Sequence, residues 1–372
     1  MKFKIKKEIL NENLNNVSKA LSNKNIIPIL SGIKFELKEE GLYLIATDDD
    51  ITIQSFIEKE NSIEIFELGS IIIPGRYFID IVRKIPTEEI NLETDGLILN
   101  ITTKTSQYNL NGMHYNDFPE RTLELIKSPI VLSSKIIKNI VNQTSFSVSN
   151  QESRPILTGI NLLINKDLLE CVATDSYRLS KKILKLDNKF TDKINIVIPG
   201  KNLIELSKIL DEKETNVEIH IFSNNILFKF SNILFQSRLL NGTYPDTSKL
   251  IKEDHILKIT TNLEELYNVI DRASLLTNEK EKNVVKMDVF ENELIISSTS
   301  LEIGNIEEKM SIEKDSKENI KIAFSSKYMM EALKSFKSEK IDIYLSGEIK
   351  PIILKEQEND SLIQLILPIK TF

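Results

Sequence analysis

The chain has 372 residues, 41% of them hydrophobic, a formal net charge of −7 and one cysteine. That length suits two or three domains with ordinary cores, and the acidic balance argues against a simple basic nucleic-acid binder. No apolar run reaches the roughly 20 residues of a membrane span, the start MKFKIKKEIL is too charged for a secretory signal, and Cys171 alone allows no intrachain disulfide, which fits a reducing cytoplasm.

In chain order, a predicted strand over Lys2–Ile5 leads into a helix from Lys7 to about Leu21, with Leu10, Leu14, Val17 and Leu21 on its apolar stripe. A loop, Ser22–Ile27, carries Lys24, and strands are expected at Ile29–Leu37, Gly41–Ala46 and Ile51–Glu58. Then comes IIIPGRYFIDIVRKI, Ile71–Ile85: an apolar strand, a Pro-Gly break and an amphipathic helix. Strands at Glu89–Glu93, Leu97–Thr102 and Ser106–Gly112 follow. The same order then begins again: a helix over Ser134–Phe146, a loop Ser147–Arg154, strands at Gly159–Ile164, Leu168–Ala173 and Ser180–Leu186, a helix Lys201–Leu210, and strands near Val217–Phe222, Ile226–Phe230 and Ile233–Leu240. A third round opens with a helix Leu263–Leu276 behind an N-cap at Asn262 and strands at Val284–Phe290, Glu293–Ser298 and Glu302–Met310. It closes with a helix Lys327–Phe336 and strands at Lys340–Leu345, Pro351–Lys355 and Leu362–Ile369.

This order is a threefold repeat. IIIPGRYFIDIVRKI returns as IVIPGKNLIELSKIL at Ile196–Leu210 and as IAFSSKYMMEALKSF at Ile322–Phe336. Asp80, Glu205 and Glu331 hold matching places, with offsets 205 − 80 = 125 and 331 − 205 = 126. PILSGI at Pro28–Ile33 returns as PILTGI at Pro155–Ile160, and 155 − 28 = 127. LIATD at Leu44–Asp48 returns as CVATD at Cys171–Asp175, and Leu110–Gly112 returns at Leu240–Gly242. A period this long implies whole domains rather than solenoid units. The expected domains are residues 1–127, 128–254 and 255–372, each an α+β unit with two helices on antiparallel sheets, packed end to end without linkers.

Chemistry is sparse. His114, His220 and His255 lie at no metal-ligand spacing from one another or from Cys171, and there is no Walker loop or GxGxxG. Asp48-Asp49-Asp50 and Asp175 could support a metal-dependent nuclease or nucleotidyltransferase, but Thr47-Asp48 and Thr174-Asp175 read more simply as strand-ending turns whose side chains cap backbone N–H groups. The second helices start with a base, Arg76, Lys201 or Lys327, at the end where the helix dipole prefers acids. The loops after the first helices add Lys24, Arg154, Lys280 and Lys282. This is either a track for phosphates that reads no bases or a set of solvated faces; a scaffold binding only proteins would have no such track.

The order PILSGI, ATD, IPGRYFIDIVRKIP and LNG…DFP, followed by SRPILTGI, VATDSYRLS, IPGK, LNGTYPD, LLTNEK and a terminal LPI-K, closely resembles the bacterial DNA polymerase III β subunit family, the sliding clamps, over Met1 to about Lys370. The resemblance implies three domains of the DNA-clamp fold and a head-to-tail homodimer that closes around duplex DNA without reading sequence. It also implies a cytoplasmic processivity factor with no catalytic residues, metal or cofactor of its own. Its implied partners are the replicative polymerase subunit, the clamp loader and other clamp-motif proteins, with no membrane.

The resemblance assigns DNA contacts to Lys24 and Gln151, with Arg154 and Lys201 as additions. It assigns a partner-peptide pocket to Thr174, Tyr177, Arg178 and Leu179, then Pro245, Lys249 and Leu250, then Tyr328, Ile349 and Pro351, and the tail Ile366, Leu367, Pro368 and Ile369. An apolar groove with a few polar groups suits such peptides. Ser176-Tyr177 stands where the family usually has Gly-His, and Glu281 where an aromatic often follows NEK, so peptide preference should differ. Ring closure is implied through Lys104, Gln107 and Tyr108 of one copy against Leu275, Leu276, Glu302 and Glu307 of the next.

Overall fold

A computed structural model describes residues 1–22, 27–60, 63–119, 122–151, 153–251, 254–278 and 282–370. Among them are six α-helices: α1 (Lys7–Val17), α2 (Gly75–Lys84), α3 (Ser134–Thr144), α4 (Gly200–Ile209), α5 (Leu263–Ala273) and α6 (Ser326–Leu333). None of these helices is long and apolar enough to cross a membrane.

Helices α1, α3, α5 and α6 are shorter than the apolar spacing predicts, while α4 has the expected length. The final turn of α1, α3 and α5 tightens into a 3-10 turn, at Ser18–Ala20, Ser145–Ser147 and Ser274–Leu276. Serine at these positions competes for local carbonyls; the Ser18 hydroxyl, for example, donates to Asn15 O at 2.7 Å. PILSGI does not start a strand, and PILTGI takes the same turn. Pro28–Ser31 and Pro155–Thr158 form 3-10 turns, in which the Ser31 and Thr158 hydroxyls donate to the proline carbonyls at 2.6 and 2.7 Å. Proline offers no N–H to a ladder, so the first of these strands begins later than expected, at Gly32, while the second begins at Gly159 as expected.

The described chain forms two compact units. Unit 1, Met1–Ile137 with Asn202–Leu239, holds two antiparallel sheets. The five-stranded sheet runs Ile63–Glu67, Lys2–Lys6, Glu89–Asp95, Ile98–Thr102, Gln107–Asn111. The eight-stranded sheet runs Ile130–Ser133, Asn216–Ile221, Asn225–Phe230, Ile233–Arg238, Ile51–Glu58, Gly41–Thr47, Gly32–Lys38, Gly69–Pro74. Helices α1 and α2 lie on these sheets with Leu10, Leu14, Val17, Phe78 and Val82 buried. Phe78 meets Phe35 edge-on at 5.1 Å, an arrangement the ring quadrupoles favour. Gly75 opens α2 because an added Cβ would sit 2.6 Å from Leu21 Cδ1.

Unit 2, Lys138–Lys201 with Leu240–Phe372, also has two antiparallel sheets. The nine-stranded sheet runs Ile194–Pro199, Gly159–Asn165, Leu168–Thr174, Arg178–Lys185, Asn359–Ile366, Ile352–Glu356, Lys340–Leu345, Leu257–Asn262, Glu313–Lys314. The four-stranded sheet runs Gly304–Ser311, Glu293–Ser300, Val284–Phe290, Ile320–Ser325. Helices α5 and α6 bury Leu266, Val269, Ile270, Met329, Ala332 and Leu333. Asn262 caps α5 by accepting from the Glu265 N–H at 2.9 Å.

The second sequence repeat therefore contributes to both units. Its strands Asn216–Ile221, Asn225–Phe230 and Ile233–Arg238 join the first repeat through the Ile233–Arg238 to Ile51–Glu58 ladder, and its strand Arg178–Lys185 joins the third through Asn359–Ile366. Backbone pairing across repeat boundaries, not a linker, is what connects one repeat to the next.

Candidate functional site

The site is built on the turn between strands Leu168–Thr174 and Arg178–Lys185. The Thr174 hydroxyl donates to Arg178 O at 2.6 Å and accepts from the Ser176 N–H at 3.1 Å. Asp175 Oδ1 accepts from the N–H groups of Tyr177 and Arg178 at 2.9 and 3.0 Å. Ser176 adopts φ 77°, a left-handed conformation that these side-chain bonds hold in place. Asp175 is thus a turn cap. Asp48 does the same in unit 1, accepting from Asp50 and Ile51 at 3.0 and 2.8 Å, while Asp50 pairs with Arg238 at 2.5 Å. Among the described residues no three His, Cys, Asp or Glu side chains are grouped to hold a metal ion. The nuclease reading of Asp48–Asp50 and Asp175 is left without its cluster.

Arg178 organises everything above the turn. Its side chain is 9% exposed; Nε donates to Asp175 Oδ2 at 3.0 Å, and Nη1 donates to Glu331 of α6. The guanidinium lies 4.3 Å from the centre of the Tyr328 ring and 5.5 Å from that of Phe146. Each such contact is worth about 0.5–2 kcal/mol. The result is a fixed platform in which Asp175 and Glu331 hold the guanidinium against the Tyr328 ring. Burial also pushes the Tyr328 phenol above its ordinary range, with Asp175 adding to the effect.

Tyr177 and Tyr328 face a cleft of about 670 Å³, lined also by Lys282, Asn283, Ser325, Lys327, Leu367, Pro368, Ile369 and Lys370. Its tail wall is pinned on both sides. The Leu367 N–H donates to Tyr177 O at 2.8 Å and the Ile369 N–H donates to Ala323 O at 2.7 Å, with Pro368, which has no N–H, between them. The last strand accordingly stops at Ile366, three residues before the sequence expectation. Ile349, 67% exposed, lines a neighbouring cleft of about 510 Å³ that shares Ile369 and Lys370.

The pocket residues expected from sequence divide by burial. Tyr177, Tyr328, Leu367, Pro368 and Ile369 meet in one cleft. Thr174, Arg178, Leu179 and Ile366 are buried beneath and beside it. Leu179 packs with Leu157, Val172, Tyr244, Ile353, Ile363 and Leu365 in one apolar cluster, and Tyr244 accepts the Thr174 N–H at 3.0 Å. Pro245, Lys249 and Leu250 are exposed on the segment after Tyr244 and do not line the Tyr177–Tyr328 cleft, and Pro351 is half-buried. Lys282 and Lys327, read from sequence as part of a basic track, line the cleft, as do Asn283, Ser325 and Lys370, which sequence reasoning missed. Sequence spacing gave no signal for them, because they come together only through the ladder of Val284–Phe290 with Ile320–Ser325.

Of the expected DNA contacts, Gln151, Arg154 and Lys201 are exposed in unit 2; Lys24, like Lys280, lies outside the described residues. The Ser149 N–H donates to Leu157 O at 2.8 Å, closing the loop that carries Gln151 and Arg154. That loop leans on the start of α4, where a Cβ on Gly200 would lie 3.0 Å from Val148, so it stands beside Lys201.

Three of the expected ring-closing residues, Gln107, Tyr108 and Glu307, lie on edge strands, and the others stand next to them. Gln107 and half-buried Tyr108 belong to Gln107–Asn111, the edge of the five-stranded sheet, and exposed Lys104 precedes them. Glu307 belongs to Gly304–Ser311, the edge of the four-stranded sheet. Beside it stand Glu302, Leu275 at 74% exposure, half-buried Leu276, and two apolar residues missed from sequence, Leu301 at 103% and Ile303 at 73%. Arg272 grips Glu308 through two bonds of 3.1 and 2.7 Å, which holds the Glu308 carboxyl below its usual range. Unpaired strand edges flanked by exposed apolar side chains are templates for strand addition.

Comparison with known proteins agrees over the whole chain. Residues 1–123, 131–246 and 248–370 match the family models for the N-terminal, central and C-terminal domains of the DNA polymerase III beta subunit. Beta sliding clamps of Staphylococcus epidermidis and Staphylococcus aureus are 42% and 41% identical, each covering 100% of both chains. The crystal structure of the DNA polymerase sliding clamp from Bacillus subtilis matches with a TM-score of 0.97 at 39% identity over 100% of both chains, and that of the Streptococcus pyogenes beta subunit with 0.95 at 31%. With three clamp domains in order and two helices on antiparallel sheets in each, the chain belongs to the DNA polymerase III beta subunit family, the beta sliding clamps.

Proposed function

We propose that two copies of this chain join head to tail through the Gln107–Asn111 and Gly304–Ser311 edges and enclose duplex DNA, sliding without sequence preference. In that assembly the chain is a processivity factor of the replicative polymerase, an accessory subunit and not a catalyst. It tethers polymerase, loader and repair partners by short peptides in the Tyr177–Tyr328 cleft. The domains run over about 1–127, 128–254 and 255–372.

The observation that carries this reading is the full-length match to three clamp domains together with two open edges on the first and third of them. A head-to-tail contact that closes on itself explains why a repeat can stop at three without capping units. Charge supports it too. The six helices hold ten Lys and Arg against eight Asp and Glu, a net of +2, so the rest of the chain carries −7 − 2 = −9. Helices facing the duplex and sheets facing solvent would put each charge where it is useful, with phosphate contacts made by Lys24, Gln151, Arg154 and Lys201.

The test is retention on DNA. A dimer by light scattering that stays on circular DNA and is lost after linearisation is expected, and Leu275→Glu with Leu301→Glu should give a monomer that is not retained. A wild-type monomer, or equal retention on both DNA forms, would reject the ring.

A further inference from the structure

We propose that the free edge of strand Ile320–Ser325 pairs, main chain to main chain, with an extended segment of the same partner peptide that fills the Tyr177–Tyr328 cleft. The inference rests on the peptide-binding reading above and extends it by one strand. Ile320–Ser325 ends the four-stranded sheet and has a strand neighbour, Val284–Phe290, on one side only. In an antiparallel ladder, alternate residues turn both their N–H and their C=O away from that neighbour. The Ser326 N–H donates to Asn283 O at 2.8 Å, which sets the alternation: Phe324 and Ile322 bond to Val285 and Met287, and Ala323 and Lys321 turn outward. The Ala323 carbonyl accepts from the Ile369 N–H at 2.7 Å. Two residues along, the Lys321 N–H and C=O have no backbone partner on that side among the described residues. The tail of the chain thus makes one rung on this edge, and the next rung is open.

The open rung borders a groove of about 510 Å³ lined by Lys321, Ile322, Ala323 and Ile349, which shares Ile369 and Lys370 with the Tyr177–Tyr328 cleft. A peptide leaving the cleft across Ile369 enters this groove with its backbone beside Lys321. Ile349, 67% exposed, offers apolar cover. Lys286, Lys321 and Lys370 share the groove with Asp288 and Glu348, and Lys321 pairs with Asp288 at 3.3 Å, so charge gives little selection. Recognition falls to main-chain hydrogen bonds, which hold an added strand whatever its side chains.

The experiment uses the full-length chain and end-capped fluorescent peptides: a Leu-Leu-Phe core alone, and the same core carrying Thr-Val-Thr on its N-terminal or its C-terminal side. One of the two extended peptides should bind roughly tenfold tighter than the core, the worth of about one or two net hydrogen bonds. N-methylation of the middle extension amide, and of the two outer ones, should give opposite results: one pattern removes the gain and the other keeps it. Lys321→Pro removes an outward N–H where an edge strand tolerates proline; it should cut the gain to about twofold or less while core affinity holds. The N-methylated peptides decide the question if that variant does not fold. Core binding with no gain from either extension overturns the edge pairing and leaves the cleft reading intact. Failure to bind the core, or core binding untouched by Tyr328→Ala, overturns both. A gain that survives Lys321→Pro and both methylation patterns puts the extension elsewhere and overturns the pairing. So does a gain seen only in a chain ending at Lys370, which would give the edge to Thr371 and Phe372 instead of a partner.

Discussion

The turn at Thr174–Arg178 in unit 2 and the turn at Thr47–Ile51 in unit 1 are the same backbone device with different side chains. Thr47 donates to Ile51 O at 2.8 Å as Thr174 does to Arg178 O, and Asp49 holds φ 79° where Ser176 holds 77°. The ladders beyond them correspond as well: Leu179 pairs with Leu365 in unit 2, and Thr52 with Gln236 in unit 1. What fills the frame differs. In unit 2, Arg178 ion-pairs twice and carries Tyr328, leaving an aromatic cleft open above an apolar floor. In unit 1, Ile51 stands at the arginine's place, and Asn202 stands at the tyrosine's, donating to Ser237 Oγ at 2.8 Å. Gln236 donates to Thr122 O at 3.2 Å, so the floor position is spent on holding the chain between the first two repeats. One copy of the module leaves an aromatic cleft above the arginine, and the other spends the matching positions on its own connection.

The largest effect expected is at the centre of the open copy. Arg178→Ala would strand Asp175, 13% exposed, and Glu331 without their common partner, and should cost about 3 kcal/mol of unfolding free energy by chemical denaturation. Ile51→Ala, at the matching place, should cost about as much through a cavity. Only the arginine loss should vary with salt, and an identical salt response in both would contradict the ionic account of unit 2.

Next in size is the pair above the turn. Tyr328→Ala should weaken a short end-capped peptide with a Leu-Leu-Phe core by about 2 kcal/mol, near thirtyfold, in calorimetry. Asn202→Ala should leave peptide affinity alone and lower stability by about 1 kcal/mol through the lost buried bond. Equal affinity loss in both would mean the two copies are not functionally distinct.

A smaller effect separates the units by pH. In unit 1 the Ile126 N–H donates to Nδ1 of buried His220 at 3.0 Å. Burial pushes this imidazole below its ordinary range, against the opposite pull of Glu218 at 3.4 Å and with a smaller push from Lys229 in the same direction as burial. With a lower value folded than unfolded, the unfolded chain takes up the proton first. The stabilisation is complete above the unfolded value of about 6.5 and declines as pH falls from there through the folded value. His220→Gln should flatten the wild-type slope of unfolding midpoint against pH in that window; an unchanged slope would remove His220 from the account.

The smallest effect concerns the shared φ. Ser176→Gly should stabilise by about 0.5 kcal/mol, and Asp49→Gly by less, because aspartate tolerates the left-handed region better than serine. Thermal melts of the two variants give the order directly.

Much of this was legible in the sequence because it is local and repeated. The IPGR, IPGK and FSSK breaks, the Thr-Asp turns and the apolar helix faces each depend on residues within a few positions, and recurrence at offsets near 126 turned weak local signals into a strong one. Tyr177, Tyr328 and the Leu367–Ile369 tail followed from the family resemblance, and they do meet in one cleft. What only the tertiary structure decided is which repeats share a sheet, that Asp175 and Glu331 both pair with Arg178, and that Lys282, Lys327 and Lys370 surround the same space. The sharing of sheets depends on ladders joining strands more than 150 residues apart, as Arg178 joins Ile366, and the grouping of the lysines on the shorter-range pairing of Val284 with Ser325. Backbone pairing at that distance is chosen by the burial of whole sheet faces, and no window of sequence contains both partners.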